Sequence, residues 1–462
     1  MTARSVAARG PVLHYRGERD GRRLYAVTVA EGTPVSLGGE RLATTPIGRL
    51  GDLAFASVRF EVPEGAGWIA YRAGDVEHAF FVGADAVRLA YTSCNGGEDE
   101  DAARAYPTGR NAMWRDLLAA HERDPFSVLV MGGDQIYADA VLRQPAFAAW
   151  RAMGRSRWEA PFTREMKAEA EAFFANRYGE VWREPEVAEA LATIPTVMMW
   201  DDHDISDGWG SYPDPQRLSP VAQGLFAVAR RAFALFQLGV DPDEPGAPFE
   251  GVAHFGWTAD CGPARLVVPD LRSERRLDRV MGADHRVIEE GMRGDRHKLV
   301  VSSVPLVNVD LSRAERLLRR IGWHKYTDDL RDQWMSYAHR GEWRRVMARL
   351  LDASRTAPVT VLSGEIHLAA LGTALRGADS VAQYIASGIA HPPPPKAWAS
   401  LLGRLTGNEW RRDDIALRMQ PLGETGRRYI AERNWLEVGI GPEGTLSATL
   451  HGEEAGAVPL TA

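Results

Sequence analysis

Cysteine is scarce: Cys94 and Cys261 are the two in 462 residues. A disulfide framework of the kind that staples small secreted domains is therefore excluded. In a reducing compartment the Cys94 thiol is open to chemistry. No run approaches the ~20 apolar residues that a membrane-spanning helix needs. Residues 1–21 are basic but contain no apolar stretch and no twin arginine leading into one, so no export signal is read and a cytoplasmic location is expected. An excess of positive charge is also missing. Lys plus Arg number 55 against 62 Asp plus Glu, a net charge of −7, which argues against a high-affinity nucleic-acid partner. Low-complexity sequence is confined to Pro392–Pro395, a rigid polyproline loop, and no internal repeat is visible. What remains is an ordinary globular composition, 45% hydrophobic and 25% charged, long enough for two or three domains.

The pattern along the chain changes near Gly83. Before it, short runs such as Leu24–Val29 and Ala54–Phe60 alternate with Gly-rich turns, which reads as a small N-terminal β-sandwich over residues 1–85. After it, apolar runs alternate with helical stretches over residues 86–462. The runs are Ala86–Tyr91, Ser127–Met131, Pro195–Trp200, Arg265–Pro269, Lys298–Ser303 and Val359–Ser363. Runs apolar on both faces suit sheets covered on each side, so the class is α/β (α+β). Helices are expected near 101–121, 163–191, 220–238, 311–320 and 330–353, the last from the spacing of Trp334, Tyr337, Trp343, Val346 and Leu350. The charged and aromatic segment 139–190 is read as a helical cap. Short strands return after about residue 383.

Four of these runs end in residues that can hold metals. They lead into Thr92-Ser93-Cys94-Asn95, Gly133-Asp134-Gln135-Ile136-Tyr137-Ala138-Asp139, Asp201-Asp202-His203-Asp204-Ile205-Ser206-Asp207 and Gly364-Glu365-Ile366-His367. In α/β sheets ligands bind beyond the carboxyl ends of strands, so the four tips are expected to converge. Carboxylates suit hard cations, while thiolate, phenolate and imidazole together favour a redox-capable metal such as iron. A carboxylate such as Asp134 can bridge two ions. Taken singly, each piece has a plain structural reading. Gly-Asp after a strand is usually a turn, the aspartates can cap a helix, and a lone Cys or His is more often packing. Four such strand ends in one chain outweigh those readings.

These motifs, with weaker echoes at Pro269-Asp270-Leu271-Arg272-Ser273 and Asp332-Gln333-Trp334, resemble the PhoD-like alkaline phosphatases among the calcineurin-like metallophosphoesterases, over about residues 85 to 390. The resemblance implies a small N-terminal β-sandwich followed by a four-layer αββα domain, and iron and calcium as cofactors, with Mn or Zn as substitutes. It implies that Cys94, Asp134, Tyr137 and His367 hold iron. Glu365 and one of the acids Asp202 and Asp207 would complete a calcium side shared through Asp134. His203, Asp204, Arg272 and Asn95 are the candidates for catalysis or substrate contact, His203 as proton donor to the leaving group. Two departures stand out. Glu365 replaces the family's usual Asp, and Asp207 stands where an Asn is usual, which makes the site more anionic and favours a diester over a dianionic monoester.

The function expected is hydrolysis of a small-molecule phosphate ester by a metal-bound hydroxide, as a phosphatase or phosphodiesterase. Two alternatives are a metal-binding member without catalysis and a metallohydrolase of another bond. No Gly-x-Ser-x-Gly elbow follows a strand-like run, and neither a dinucleotide fingerprint nor a Walker A sequence is found.

Overall fold

The computed structural model describes residues 10–97, 104–243, 255–282, 285–310, 332–406 and 409–461. In chain order the strands are β1 (Val12–Arg19), β2 (Arg22–Ala30), β3 (Val35–Leu37), β4 (Glu40–Leu42), β5 (Thr45–Leu50), β6 (Leu53–Pro63), β7 (Gly67–Ala73), β8 (Val76–Val82), β9 (Val87–Thr92), β10 (Val128–Gly132), β11 (Thr196–Met199), β12 (Trp257–Cys261), β13 (Ala264–Val268), β14 (His297–Ser302), β15 (Val359–Ser363), β16 (Ala369–Arg376), β17 (Asp379–Ile385), β18 (Trp410–Arg412), β19 (Ile415–Gln420), β20 (Tyr429–Ile430), β21 (Asn434–Ile440), β22 (Leu446–Gly452) and β23 (Gly456–Leu460). The longer helices are α1 (Ala112–Arg123), α2 (Arg164–Val181), α3 (Pro185–Thr193), α4 (Pro220–Phe233), α5 (His285–Gly291), α6 (Arg340–Ala353) and α7 (Lys396–Leu405).

Among the described residues the strands form two large sheets and one small one. The first large sheet runs β23-β22-β21-β9-β10-β11-β1-β2-β6-β5, and the second runs β12-β13-β14-β15-β17-β16-β19-β18 with β20 beside β16. β9, β10 and β11 are parallel, as are β13, β14, β15 and β17, so each sheet gathers several carboxyl ends along one edge. The side chains of β10 and β11 show why. Val128, Val130, Val197 and Met199 enter the core cluster shared with Leu266, Leu299 and Val361 of the second sheet. Their neighbours Leu129, Met131, Met198 and Trp200 point the other way, into a cluster with residues of α1, α2, α3 and α4. Apolar residues on both faces of a strand of period two are what a doubly covered sheet requires. Each fully buried side chain of this size adds about 1.5–3 kcal/mol.

The N-terminal strands divide between two sheets. β3, β4, β7 and β8 form the small sheet. β1, β2, β5 and β6 face it where Tyr25 of β2 and Phe60 of β6, stacked on each other, pack against Phe80 of β8, which meets Tyr25 edge-on. These four strands also continue the first large sheet, because His14 of β1 pairs with Thr196 of β11. The N-terminal β region is thus joined to the rest by backbone hydrogen bonding.

Helix limits follow capping chemistry. Thr163 accepts from Met166 N–H at the start of α2, and Ser219 accepts from Ala222 N–H before Pro220 at the start of α4. The helix expected over 330–353 begins only at Arg340. Trp334 is buried in a turn and Tyr337 is exposed, although their spacing fits a helix. The stretch expected near 220–238 ends in a π-helical turn, Ala234–Leu238. Within 139–190, α2 packs on α4 and buries Phe174 and Tyr178 among core residues. The expected helix 311–320 lies outside the described residues.

Candidate metal centre

The carboxyl edges of the two large sheets meet. Ile389 N–H bonds Ser93 C=O at 3.1 Å and His391 N–H bonds Cys94 C=O at 3.2 Å, tying the loop after β17 to the loop after β9. Cys94 N–H bonds Gly133 C=O at 3.1 Å, and Gly364 N–H bonds Ser303 C=O at 3.0 Å. Four strand-end residues, Cys94, Asp134, Glu365 and His367, adopt left-handed backbone conformations, with φ of 55°, 56°, 65° and 52°. Non-glycine residues seldom do so, and such strain concentrates at functional sites. Gly133 has a φ of 108°, and a Cβ there would lie 2.8 Å from Asp201 Cβ and 3.0 Å from Ser303 Cβ. A side chain at this position would separate the tips.

Among the described residues two groups of potential ligand atoms result, each with its atoms within 4.8 Å of one another. One is Cys94, Asp134 and His367; the other is Asp134, Asp202 and His203. Asp134 belongs to both. In the first group Cys94 Sγ stands 3.6 Å from Asp134 Oδ2 and 3.2 Å from Ser387 Oγ. Tyr137 Oη lies 3.2 Å from His367 Nε2, so the phenol is at the same place. The His367 ring stacks on His391 with centroids 3.5 Å apart, and Ser387 Oγ accepts from His367 N–H. In the second group His203 Nδ1 faces Asp139 Oδ2 at 2.9 Å. A carboxylate on one imidazole nitrogen orients the other for a metal. Gly208 N–H donates to Asp202 Oδ2 at 2.7 Å, and Arg272 Nη2 holds Asp202 Oδ1 at 3.1 Å.

The electrostatics suit cations. Burial pushes the Asp134 carboxyl well above its ordinary range, and the nearby Cys94, Asp201 and Asp202 push it further. Burial likewise raises the Cys94 thiol, against hydrogen bonds from Ser387 and Ser93 that lower it. Burial alone would lower His203, but Asp202, Asp139 and Asp207 outweigh it and hold the imidazole well above its usual value. Burial and Asp332 raise Glu365 to about 8, while the Gln333 amide opposes this from 2.9 and 2.8 Å. Among the described residues, Asp134 Oδ1 and Asp201 Oδ2 are buried without a hydrogen-bond partner. A crowd of buried acids with unanswered oxygens is expensive alone and stable around bound cations, so these residues fit metal ions.

Other sequence candidates fall elsewhere. Asp204 faces inward as an anchor. It accepts from the backbone N–H groups of Asp134 (2.9 Å), Gln135 (3.1 Å), Ile136 (3.3 Å) and Asp201 (2.9 Å), and from Gln237 Nε2 (2.8 Å). Burial raises it to about 7 against these donors. Arg272 is fully buried and spends all five N–H donors inside the protein: on Asp201, on Asp202, twice on Asp332, and on Trp209 C=O. It fixes carboxylates and has no donor left for substrate. Asn95 turns toward α1, its Oδ1 accepting from Trp114 Nε1 at 2.8 Å and Arg110 Nη1 at 3.4 Å. Asp207 is exposed and outside both ligand groups; its N–H donates to Asp139 Oδ1 at 2.7 Å. Glu365 sits at the edge, outside both groups among the described residues.

Four supporting residues were not singled out in the sequence: Ser387, His391, Asp139 and Gln333. Asp139 closes the Gly133–Asp139 run and Gln333 sits in the Asp332-Gln333-Trp334 echo, so both had a signal. Ser387 and His391 follow β17, a strand end with no acidic ligand to mark it.

Fold and site together define a mixed α/β protein with groups of potential metal ligands where two sheets meet. The family described as PhoD related phosphatase matches residues 69–322, more than half of the chain, and the chain belongs to that family. A solved structure, that of PhoD, superposes with a TM-score of 0.60 at 12% identity, covering 100% of this chain and 93% of that one; at this identity the likeness is one of fold. An uncharacterized protein of Saccharomyces cerevisiae is 24% identical over a 389-residue alignment, and the match covers 63% of this chain. The chain spans about half the length of that curated relative, 55%.

Proposed function

We propose that the chain is a metal-dependent phosphoric ester hydrolase, and that phosphodiesters are its better substrates. The observation that carries this reading is the pair of ligand groups sharing Asp134 at the joined edges of the sheets. The Cys94, Asp134, Tyr137 and His367 side suits iron, and the Asp134, Asp202 and His203 side suits calcium or another hard cation. When bound, such ions supply Lewis-acid chemistry and offset the charge that develops on phosphorus oxygens. In this reading the large sheets are the inner layers of an αββα domain.

The chain's own residues hold that arrangement. Ser387 orients the Cys94 thiol and the His367 backbone. Asp204 ties Asp134 to Asp201, so that the second and third strand tips move as one body. Arg272 clamps Asp202, and Asp139 orients His203. That orientation favours His203 as a ligand of the second ion over its expected use as a proton donor. Diester preference follows from charge. Asp134, Asp139, Asp201, Asp202 and Glu365 surround the centre, while Arg272 and Arg275 are committed to Asp332. Both arginines are buried and paired with an acid, so a monoanionic diester meets less repulsion than a phosphate dianion.

The test is hydrolysis of bis-p-nitrophenyl phosphate and p-nitrophenyl phosphate by the purified chain loaded in turn with Fe, Ca, Mn and Zn. A higher kcat/KM for the diester supports the proposal. Loaded protein that hydrolyses neither ester with any metal overturns it.

A further inference from the structure

Helix α7 carries an apolar stripe that faces water. Trp398, Leu401 and Leu405 are 43%, 45% and 56% exposed, while Ala399 and Leu402 on the opposite side are buried. Spacings of three and four residues put the exposed three on one face. Polar groups flank that face. Between His391 and Thr406 there is no acidic residue; Lys396 opens the helix and Arg404 stands in its last turn. α7 packs on β20, and the turn leading into β20 adds exposed Arg427, with Glu424 as its carboxylate. Arg428 Nη1 bonds Gly403 C=O at 3.5 Å. Lys396 meets Glu454 in an exposed pair, which water screens.

We propose that α7 is a docking surface for an anionic lipid bilayer. A short helix with Trp and Leu on one face, beside cations, matches an interfacial anchor. Trp favours the headgroup level, where its ring is half buried and its N–H stays wet. The three side chains expose roughly 300 Å² of apolar surface. A specific protein interface takes about 800 Å² per partner. The patch is therefore small for a stable second copy, whereas an interfacial anchor can add electrostatic attraction to apolar burial. The position is also telling. The helix begins after the polyproline link, about 15 Å of polyproline-extended chain from His391, and the stripe opens in its first turn. The His391 ring stacks on His367 of the first ligand group. A docked helix would hold the edge of the metal centre near the bilayer.

Vesicle flotation of the full chain tests this without any substrate, so its outcome is separate from that of the hydrolase reading. Vesicles of phosphatidylcholine alone are compared with vesicles containing about one-third phosphatidylglycerol. The chain is expected to float with the anionic vesicles and to be released at about 0.5 M salt. A variant carrying Trp398→Ser, Leu401→Ser and Leu405→Ser, all at exposed positions, should lose at least about tenfold in vesicle affinity while keeping its thermal midpoint and its bis-p-nitrophenyl phosphate rate. Failure of the native chain to float, or equal flotation of the variant, overturns the proposal. So does a native dimer in sedimentation that the variant converts to monomer.

Discussion

Replacing Asp204 by Asn separates an anchoring role from a catalytic one. The carboxylate takes five hydrogen bonds, with Gln135 N–H, Ile136 N–H and Gln237 Nε2 on Oδ1, and Asp134 N–H and Asp201 N–H on Oδ2. An amide keeps one acceptor oxygen and turns the other into a donor. If the amide oxygen takes the Oδ1 place, the N–H groups of Asp134 and Asp201 face an NH₂ group and lose their partner. Each buried donor so stranded costs about 1–3 kcal/mol, which makes about 4 kcal/mol for two. Against a total stability of about 5–15 kcal/mol this is large. Asp204→Ala strands every one of those donors and is expected to yield no folded protein. The assay is urea unfolding followed by far-ultraviolet dichroism, with bound metal measured on the same samples. Asp204→Asn should lower the unfolding midpoint and the metal content together. A variant of native stability and full metal content that has lost only kcat would refute the anchor and restore Asp204 to catalysis.

Gly133→Ala places a Cβ 2.8 Å from Asp201 Cβ at a φ of 108°, so a loss of about 2–4 kcal/mol is expected in thermal or urea unfolding, together with reduced metal content. His203→Gln should remove one of two ions in elemental analysis if His203 is a ligand; full metal content with a lowered rate would mark a proton donor instead. Burial lowers His121 to about 4, with Arg88 adding to it, and Phe126 N–H donates to its Nδ1. A base lowered on folding takes up its proton in the unfolded chain first, so its contribution is complete above pH 6.5 and fades toward pH 4. The native chain should lose up to about 3 kcal/mol over that window from this residue. His121→Asn should show a shallower decline, and an identical slope in urea unfolding against pH would count against the assignment.

Much of the candidate site was legible because its potential ligands sit where apolar runs stop. Cys94, Asp134, Asp202 and His367 lie within three or four residues of the strand ends at Thr92, Gly132, Met199 and Ser363, and a parallel sheet gathers such ends. The direction of a side chain was not legible. Asp202 and Asp204 are the same chemical type two residues apart; one enters a ligand group and the other anchors two backbone segments and the Gln237 side chain from within. Arg272 had the charge expected of a phosphate contact, but its five acceptors come from chain segments far apart in sequence. The start of α6 was misplaced because Trp334 and Tyr337 fall in helical phase by spacing alone. The junction of the N-terminal strands with the first large sheet depends on a pairing between His14 and Thr196, which no local pattern encodes.

The central claim is that two ligand groups share Asp134 and hold ions that serve ester hydrolysis. Elemental analysis of the purified chain beside Asp134→Ala, with bis-p-nitrophenyl phosphate turnover measured on the same samples, tests it most directly. The account predicts about two ions per native chain, and loss of both ions and turnover in the variant. A native chain that carries no metal after incubation with Fe, Ca, Mn or Zn, or an Asp134→Ala protein that keeps both ions and its rate, would contradict it.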